Sequence, residues 1–128
     1  MKTLKSALNW FEIPAARLSR AKKFYETIFG IELHELALGN DLKMAMFPVD
    51  EGTVGGALCE HKDFYTPSNH AGPLVYLNGN PDLQEVLSRV EEAGGKIIIR
   101  KTQISPEYGH MAVFEDCEGN RIALHSDQ

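Results

Sequence analysis

The sequence lacks the features that mark several classes of protein. It has only two cysteines, Cys59 and Cys117, in 128 residues, which is too few for a disulfide framework or a cysteine-based metal motif. No apolar run approaches the roughly 20 residues of a membrane span, and the first residues carry no apolar stretch typical of a signal peptide. The net charge of −5 disfavours a nucleic-acid-binding face. We therefore expect a cytoplasmic protein with reduced thiols that binds neither nucleic acid nor a membrane.

What the sequence does contain is the composition of one globular domain. Apolar residues make up 43% of the chain and charged residues 24%, as in ordinary globular proteins. A chain of 128 residues is long enough to bury a core without disulfides or a structural metal. We therefore predict a single domain over residues 1–128.

The first half predicts one strand, one helix and three strands. Residues 8–15 alternate in the manner of a strand. An apolar stripe then predicts a helix that begins at Leu18 or Ser19 and ends at Gly30, where a glycine cap belongs. Further strands are predicted over residues 31–38, 42–48 and 54–60.

The second half repeats this order. Residues 73–78 predict a strand, and Asn80-Pro81-Asp82 predicts a helix start with Asn80 as its cap. Gly94-Gly95 is predicted to end this helix. Its buried stripe is predicted to consist of Leu83, Val86, Leu87 and Val90. Further strands are predicted over residues 96–102, 110–115 and 121–126.

Two βαβββ units thus make up the predicted domain. Repeat one spans about residues 7–60, a polar linker spans residues 61–72, and repeat two spans about residues 73–126. Each sheet would carry a helix on one face and leave the other face uncovered. Two units that pair through the uncovered faces form a curved, partly closed mixed sheet with helices outside. This α+β architecture predicts a small-molecule cavity between the units.

Motifs along nearly the whole chain resemble the vicinal oxygen chelate superfamily, which includes glyoxalase I, bleomycin resistance proteins and extradiol dioxygenases. They include Trp10-Phe-Glu-Ile-Pro14, Phe24-Tyr25-x-x-x-Phe29-Gly30, Val54-Gly-Gly-Ala-Leu58 and Asp116-x-Glu-Gly-Asn-Arg-Ile-Ala-Leu-His-Ser126. The sequence is most similar to a bacterial subfamily of predicted lactoylglutathione lyases. The resemblance implies the paired βαβββ fold, but this fold supports several chemistries and does not by itself define the function.

The resemblance also implies a divalent metal held by side chains on the first and last strands of each unit. None of the side chains at the matching positions can ligate a metal. These positions are Trp10, Pro73 or Leu74, Ala123, and the stretch Gly55, Gly56 and Ala57. We therefore predict no metal and no other cofactor, with a divalent metal as the alternative.

Strand alternation selects the candidate catalytic groups. On the first strand, Trp10 and Glu12 share one face, while Phe11 and Ile13 share the other and should pack under the helix. Glu12 and His125 are the candidates for acid, base or orienting groups. A structural ion pair with Arg121 is the alternative for Glu12, and a solvent-facing strand position is the alternative for His125.

The candidate ligand-binding residues are predicted to lie on the uncovered faces of the sheets or next to those faces. Arg121 and Ala123 precede His125 at alternate positions of the last strand, and two adjacent glycines indicate a bulge or a close approach. The candidates are Trp10, Met46, Gly55, Gly56, Arg121 and Ala123.

The sequence leaves open whether the protein is an enzyme. The favoured hypothesis is a glyoxalase/bleomycin-resistance-like protein that binds a small molecule between its units without the usual metal. The alternatives are a metal-dependent glyoxalase-type lyase or dioxygenase, and a binding-only sequestration or resistance protein. Exposed strand edges and the resemblance predict a homodimer, with or without exchange of repeats between chains.

Overall fold

The computed structural model describes all 128 residues and contains two mixed sheets of four strands each. The first unit consists of β1 (Trp10–Pro14), α1 (Leu18–Phe29), β2 (His34–Ala37), β3 (Lys43–Met46) and β4 (Gly55–Glu60). The second unit consists of β5 (Tyr76–Asn78), α2 (Gln84–Leu87), β6 (Lys96–Ser105), β7 (Gly109–Glu115) and β8 (Arg121–Ser126). The predicted α+β class and the repeated βαβββ order are confirmed.

The two sheets share one topology. Their strand orders are β1-β4-β3-β2 and β5-β8-β7-β6. In each sheet the first strand lies at an edge and pairs in parallel with the last strand of its own unit. Each unit therefore forms a complete sheet without a strand from the other. No helix of the chain has the length and apolar character needed to cross a membrane.

Helix α1 follows its predicted pattern. Gly30 closes it in the left-handed conformation, with φ of 66°, and donates its amide to the carbonyl of Glu26. The buried side of the helix consists of Leu18, Ala21, Phe24, Tyr25 and Ile28. This stripe supplies the largest aromatic side chains of the core.

Helix α2 is shorter than predicted. Only Gln84–Leu87 are α-helical, and residues 88–94 continue as turns. Arg89 and Val90 donate their amides to carbonyls three residues earlier, which is a tighter winding than an α-helix has. The predicted apolar stripe is buried all the same, because these turns keep its four members on one side.

The predicted cap of this helix is also wrong. Asn80 instead accepts the amide of Asp127 with its side-chain oxygen. The amide of Leu83 donates to Ser126 Oγ at 3.0 Å, and the amide of Gln84 donates to Asp82 Oδ1 at 3.0 Å. Asp82 and a partner from β8, distant in sequence, therefore cap the helix in place of Asn80.

One core of 19 buried residues joins the helix-bearing faces of both sheets. Phe24 of α1 packs against Phe114 of β7 with their ring centroids 5.9 Å apart. The opposite faces, which we call the open faces, hold a cluster of three buried residues in the first sheet and the buried Val113 and Ala123 in the second. The expected pairing of the uncovered faces around one cavity is therefore not seen within a single chain, because the larger apolar surface lies on the helix-bearing faces.

The turn between β7 and β8 fastens the second unit to the start of α1. Its Glu118, with a buried side chain, accepts the amides of Ala16 at 2.9 Å and Arg17 at 2.8 Å. Glu118 also pairs with the Arg20 guanidinium at 2.5 Å. Because Arg17 provides no side-chain cap, this carboxylate stabilises the positive end of the helix from the other unit.

Asp116 forms the buried end of the same turn. Its Oδ2 accepts hydrogen bonds from the Tyr25 hydroxyl at 2.6 Å and from Asn120 Nδ2 at 3.0 Å. Its Oδ1 accepts the amides of Glu118 and Asn120. Burial raises the pKa of Asp116, and these hydrogen bonds act in the opposite direction. Asn120 Nδ2 also donates to the Pro14 carbonyl at 2.7 Å, so the turn bonds to β1 as well as to α1.

Replacing Glu118 with glutamine should destabilise the protein by about 1–3 kcal/mol, because the variant loses an ion pair and weakens two charge-assisted bonds. Although burial acts against it, the hydrogen bonds from Arg20 and the Arg17 amide lower the pKa of Glu118. The stability that the carboxylate contributes is therefore complete above roughly pH 4.3, its unfolded value, and is lost as the pH falls through the lower folded pKa. Urea unfolding across this range measures the difference.

Glu107→Gln is the matched control, since Glu107 is exposed and forms no hydrogen bond or ion pair. It should change the free energy of unfolding by less than about 0.5 kcal/mol. Equal unfolding midpoints for the two variants near neutral pH would contradict the role of Glu118.

Candidate functional site

Alternation along β1 separates two pairs of side chains. Ile13 belongs to the core and Phe11 packs against it, so both lie on the helix-bearing face as predicted. Trp10 and Glu12 lie on the other face, and Trp10 is 42% exposed. The strand register extends this open face across the first sheet. It carries Trp10, Glu12, Met44, Met46, Ala57 and Cys59.

The carboxylate of Glu12 has two hydrogen-bond donors, and both are aromatic side chains. The Trp10 indole donates Nε1–H to Oε2 at 3.2 Å, and the Tyr65 hydroxyl donates to Oε1 at 2.5 Å. Glu12 forms no ion pair, because Arg121 instead donates Nη2–H to the carbonyl of Gly72 at 2.9 Å. The carboxylate is exposed and carries a charge that no cation of the chain neutralises.

Tyr65 is a member of this site that sequence reasoning missed. It lies in the polar linker, yet its ring folds back over the open face and packs against the buried cluster of Met44, Ala57 and Cys59. Phe64 stands edge-on to it, with ring centroids 5.1 Å apart, and is 77% exposed. Two adjacent aromatic residues in an otherwise polar linker were the available signal.

Two protonated groups lie beside Glu12. Burial raises the pKa of the Cys59 thiol to about 12, and the charge of Glu12 adds to that rise. Burial and the hydrogen bond to Glu12 also raise the pKa of Tyr65 well above its ordinary value. At neutral pH the site therefore combines a carboxylate without an ion-pair partner with a phenol and a thiol that keep their protons.

The second open face holds the other candidate residues. Arg121, Ala123 and His125 lie at alternate positions of β8, with Ala123 fully buried. The Nε2 of His125 lies 2.6 Å from the carbonyl of Tyr108. No hydrogen bond or ion pair joins His125 to Glu12, and the two lie on different sheets. The two candidate catalytic groups therefore lie on separate sheets and are not bonded to each other.

The adjacent glycines of β4 accommodate aromatic rings of β1. A Cβ at Gly56 would lie 2.3 Å from the Phe11 ring, and one at Gly55 would lie 3.5 Å from the Trp10 ring. The register between β1 and β4 runs through five consecutive pairs, so the strand has no bulge here. Of the two predicted explanations, close approach is the one observed. Gly56 lies on the helix-bearing face, away from the open face.

A cleft of about 690 Å³ lies between the two units, on the helix-bearing side of β1. Ten of its 15 lining residues are hydrophobic, and they come from the first unit, the N-terminal segment and β5. Aromatic side chains of Phe11, Phe29 and Phe47 form part of the wall. None of the residues predicted to bind a ligand lines this cleft.

The side chains do not fit the metal ion that the resemblance implies. No three or more His, Cys, Asp or Glu side chains lie together in a way that could hold a metal. The positions matched to the ligands carry an indole, an aliphatic side chain or no side chain, and none of these coordinates a divalent cation.

Paired βαβββ units with this strand order define a protein class in which one fold supports both binding and catalysis. The sequence pattern of the Glyoxalase/Bleomycin resistance protein/Dioxygenase superfamily matches residues 7–124. The chain therefore belongs to this superfamily. The finer assignment to lactoylglutathione lyase-like proteins stays a prediction.

Individual relatives agree with this assignment. A "Glyoxylase-like domain-containing protein" of Didymella fabae is 30% identical over an alignment of 129 positions, which covers 94% of each chain. A glyoxalase I mutant of Zea mays has a TM-score of 0.68 at 19% identity, and the match covers 92% of this chain but 45% of the maize chain. TnmS3, an antibiotic binding protein from Streptomyces sp. CB03234, has a TM-score of 0.66 at 20% identity, with 99% and 100% coverage. These structural likenesses show a shared fold.

The reactivity of Cys59 tests the geometry around Glu12. Cys59 is fully buried and its pKa is raised to about 12, and only an accessible thiolate reacts with the reagent. In a Cys117→Ser background, Ellman's reagent should therefore label native Cys59 far more slowly than the urea-unfolded chain. Burial, the main cause of the raised pKa, remains in Glu12→Gln, but this variant removes the added effect of the Glu12 charge, so the pH profile of labelling should move to lower pH.

Glu107→Gln in the same background should leave the profile where it is, because that carboxylate is exposed and forms no hydrogen bond or ion pair. Native labelling as fast as in urea, or identical profiles for both glutamine variants, would contradict the arrangement.

Proposed function

We propose that the protein binds a flat, mostly apolar small molecule on the open face of the first sheet and needs no metal to do so. The observation that carries this proposal is an exposed Trp10 beside a Glu12 carboxylate whose only donors are Trp10 and Tyr65. An exposed indole offers a large rigid surface for stacking. The two methionines of this face, Met44 and Met46, adapt their shape to different ligands.

The charge of the site favours a cationic ligand. Glu12 has no ion-pair partner within the chain, and a cation over the Trp10 ring gains from the ring quadrupole as well as from the carboxylate. A flat aromatic cation satisfies both groups at once. Tyr65 and Phe64 flank the same surface, so the ligand would rest among three aromatic side chains.

The comparison with TnmS3, described as an antibiotic binding protein, supports binding without chemistry. A metal-dependent lyase or dioxygenase needs side-chain ligands that the matching positions here do not carry. We therefore favour a sequestration or resistance role over catalysis. The two free cysteines suit a reducing cytoplasm, where we propose that the protein acts.

Proflavine, a flat aromatic cation, should quench the fluorescence of Trp10, which is the single tryptophan. Glu12→Gln should weaken this binding by about fivefold, as expected for loss of one partly screened charge pair, and should change stability by less than about 1 kcal/mol. Adding a chelator should leave the affinity unchanged. Titration with and without chelator, together with urea unfolding, measures all three effects.

Acridone, which is flat but neutral, provides the matched ligand, and its affinity should be the same for both proteins. Glu107→Gln should bind proflavine as the wild type does. A large loss of stability in Glu12→Gln with unchanged proflavine affinity would assign Glu12 a structural role instead.

We further propose a homodimer in which open faces of two copies form the complete cavity. Trp10 and Tyr76, on the open faces of the first and second sheets, are 42% and 51% exposed. The strands β2 and β6 also lie at sheet edges, and the outer edge of each has no partner strand. In such a pair, Glu12 of one copy would face the open face that carries His125 of the other.

Light scattering at micromolar concentration should report twice the chain mass of 14.3 kDa. Trp10→Glu should shift the equilibrium towards monomers, because it would place a second negative charge beside Glu12. A monomer peak for the wild type at that concentration would refute the dimer and leave the binding proposal to the proflavine titration.

A further inference from the structure

We infer that the cleft between the two units is a second ligand site, distinct from the Trp10 and Glu12 site on the first open face, and that it takes a hydrophobic amine. The cleft lies on the helix-bearing side of β1, whereas Trp10 and Glu12 lie on the other side. It therefore does not depend on ligand binding at Trp10 and Glu12, and Tyr76 of the second open face lines its β5 end.

Because the two units repeat one architecture, the cleft can be compared with the equivalent junction in the other half of the molecule. Glu60 at the end of β4 accepts the amide of Leu18 at 2.6 Å, and Ser126 at the end of β8 accepts the amide of Leu83 at 3.0 Å. These matching contacts align β4 with β8. The turn at residues 50–54, before β4, thereby corresponds to the turn at residues 116–120, before β8.

The two corresponding turns differ in the bonds that they make to the opposite unit. In the second unit, Glu118 and Asn120 reach across and bond to the first unit. The first unit has Gly52 and Val54 at the corresponding places, and neither has a side chain that can form such bonds. The space between this turn and β5 is therefore open and forms the cleft, with Val54 in its wall.

The walls of the cleft are apolar and held by the core. Phe11, Phe29, Ile31, Phe47 and Val75 all line it and all pack against the main hydrophobic cluster. The volume of about 690 Å³ lies within the range of small-molecule sites, roughly 300–1,000 Å³. An apolar ligand can therefore replace water against surfaces that the fold already fixes.

Asp50 determines the charge of the ligand. It is the one charged residue of the lining, and no Lys, Arg or His accompanies it. Its carboxylate forms no ion pair or hydrogen bond within the chain, since only its backbone carbonyl is used, by Thr53. A protonated amine on an apolar body complements this arrangement, while a carboxylate on the same body would be repelled.

The probe is phenylbutylamine, compared with phenylbutanol and phenylbutyrate, in a titration followed by backbone amide chemical shifts. The amine should shift the amides of Phe29, Ile31 and Leu77, and those of Glu12 and Cys59 should stay in place. The expected order of affinity is amine, then alcohol, then carboxylate.

Two variants separate the apolar and the charged contributions. Val54→Trp should fill the cleft and abolish the shifts, whereas Ile98→Trp, at an exposed position of β6, should not. Asp50→Asn should weaken amine binding about threefold to fivefold, as expected for an exposed charge pair, and leave the alcohol unchanged. Asp127→Asn is its control.

Binding of the amine with shifts confined to the open face would overturn the proposal, as would equal affinities for amine and carboxylate. Absence of any saturable shift at millimolar amine would overturn it as well. Should Val54→Trp fail to fold, the shift map and the Asp50→Asn comparison decide the question. None of these results bears on proflavine binding at Trp10.

Discussion

The orientation of the two units depends on which side chains accept hydrogen bonds from the backbone amides at the start of α1. Its amides have no local cap, and two acidic side chains from distant segments serve instead, Glu60 from β4 and Glu118 from the second unit. A helix end without such partners would leave buried donors unpaired. The same turn that supplies Glu118 also places Asp116 under Tyr25, so polar and apolar contacts fix one relative position of the sheets.

That orientation decides which surfaces remain available for function. Because the helix-bearing faces share one core, both open faces remain accessible to ligands or to a second copy. The first open face differs from the second in having its own cover, since Tyr65 of the linker bonds to Glu12 and shields the Cys59 thiol. The fold is that of a superfamily with diverse chemistry, so the proposal of ligand binding rests on the side chains of this face and not on the fold.

The repeat is regular in its strands and irregular in its junctions. Both units use the end of their last strand to cap the start of their helix. Only the second unit's turn carries the acidic and amide side chains that seal its contact with the other unit. The opposite contact is left apolar and open. Two similar units can therefore provide one fastened junction and one cleft from a few differences in turn sequence.

The sequence by itself determined the repeated strand and helix order, the helix-facing stripe of α1 and the faces of β1, because alternation and helical spacing are local properties of the chain. It did not determine the length of α2, whose cap comes from Ser126, nor the place of Tyr65 in a linker without periodicity. The sequence did not predict the cleft either, because its walls combine residues that are distant in sequence. Such contacts are decided by how the two units pack together, and local sequence patterns carry no information about that packing.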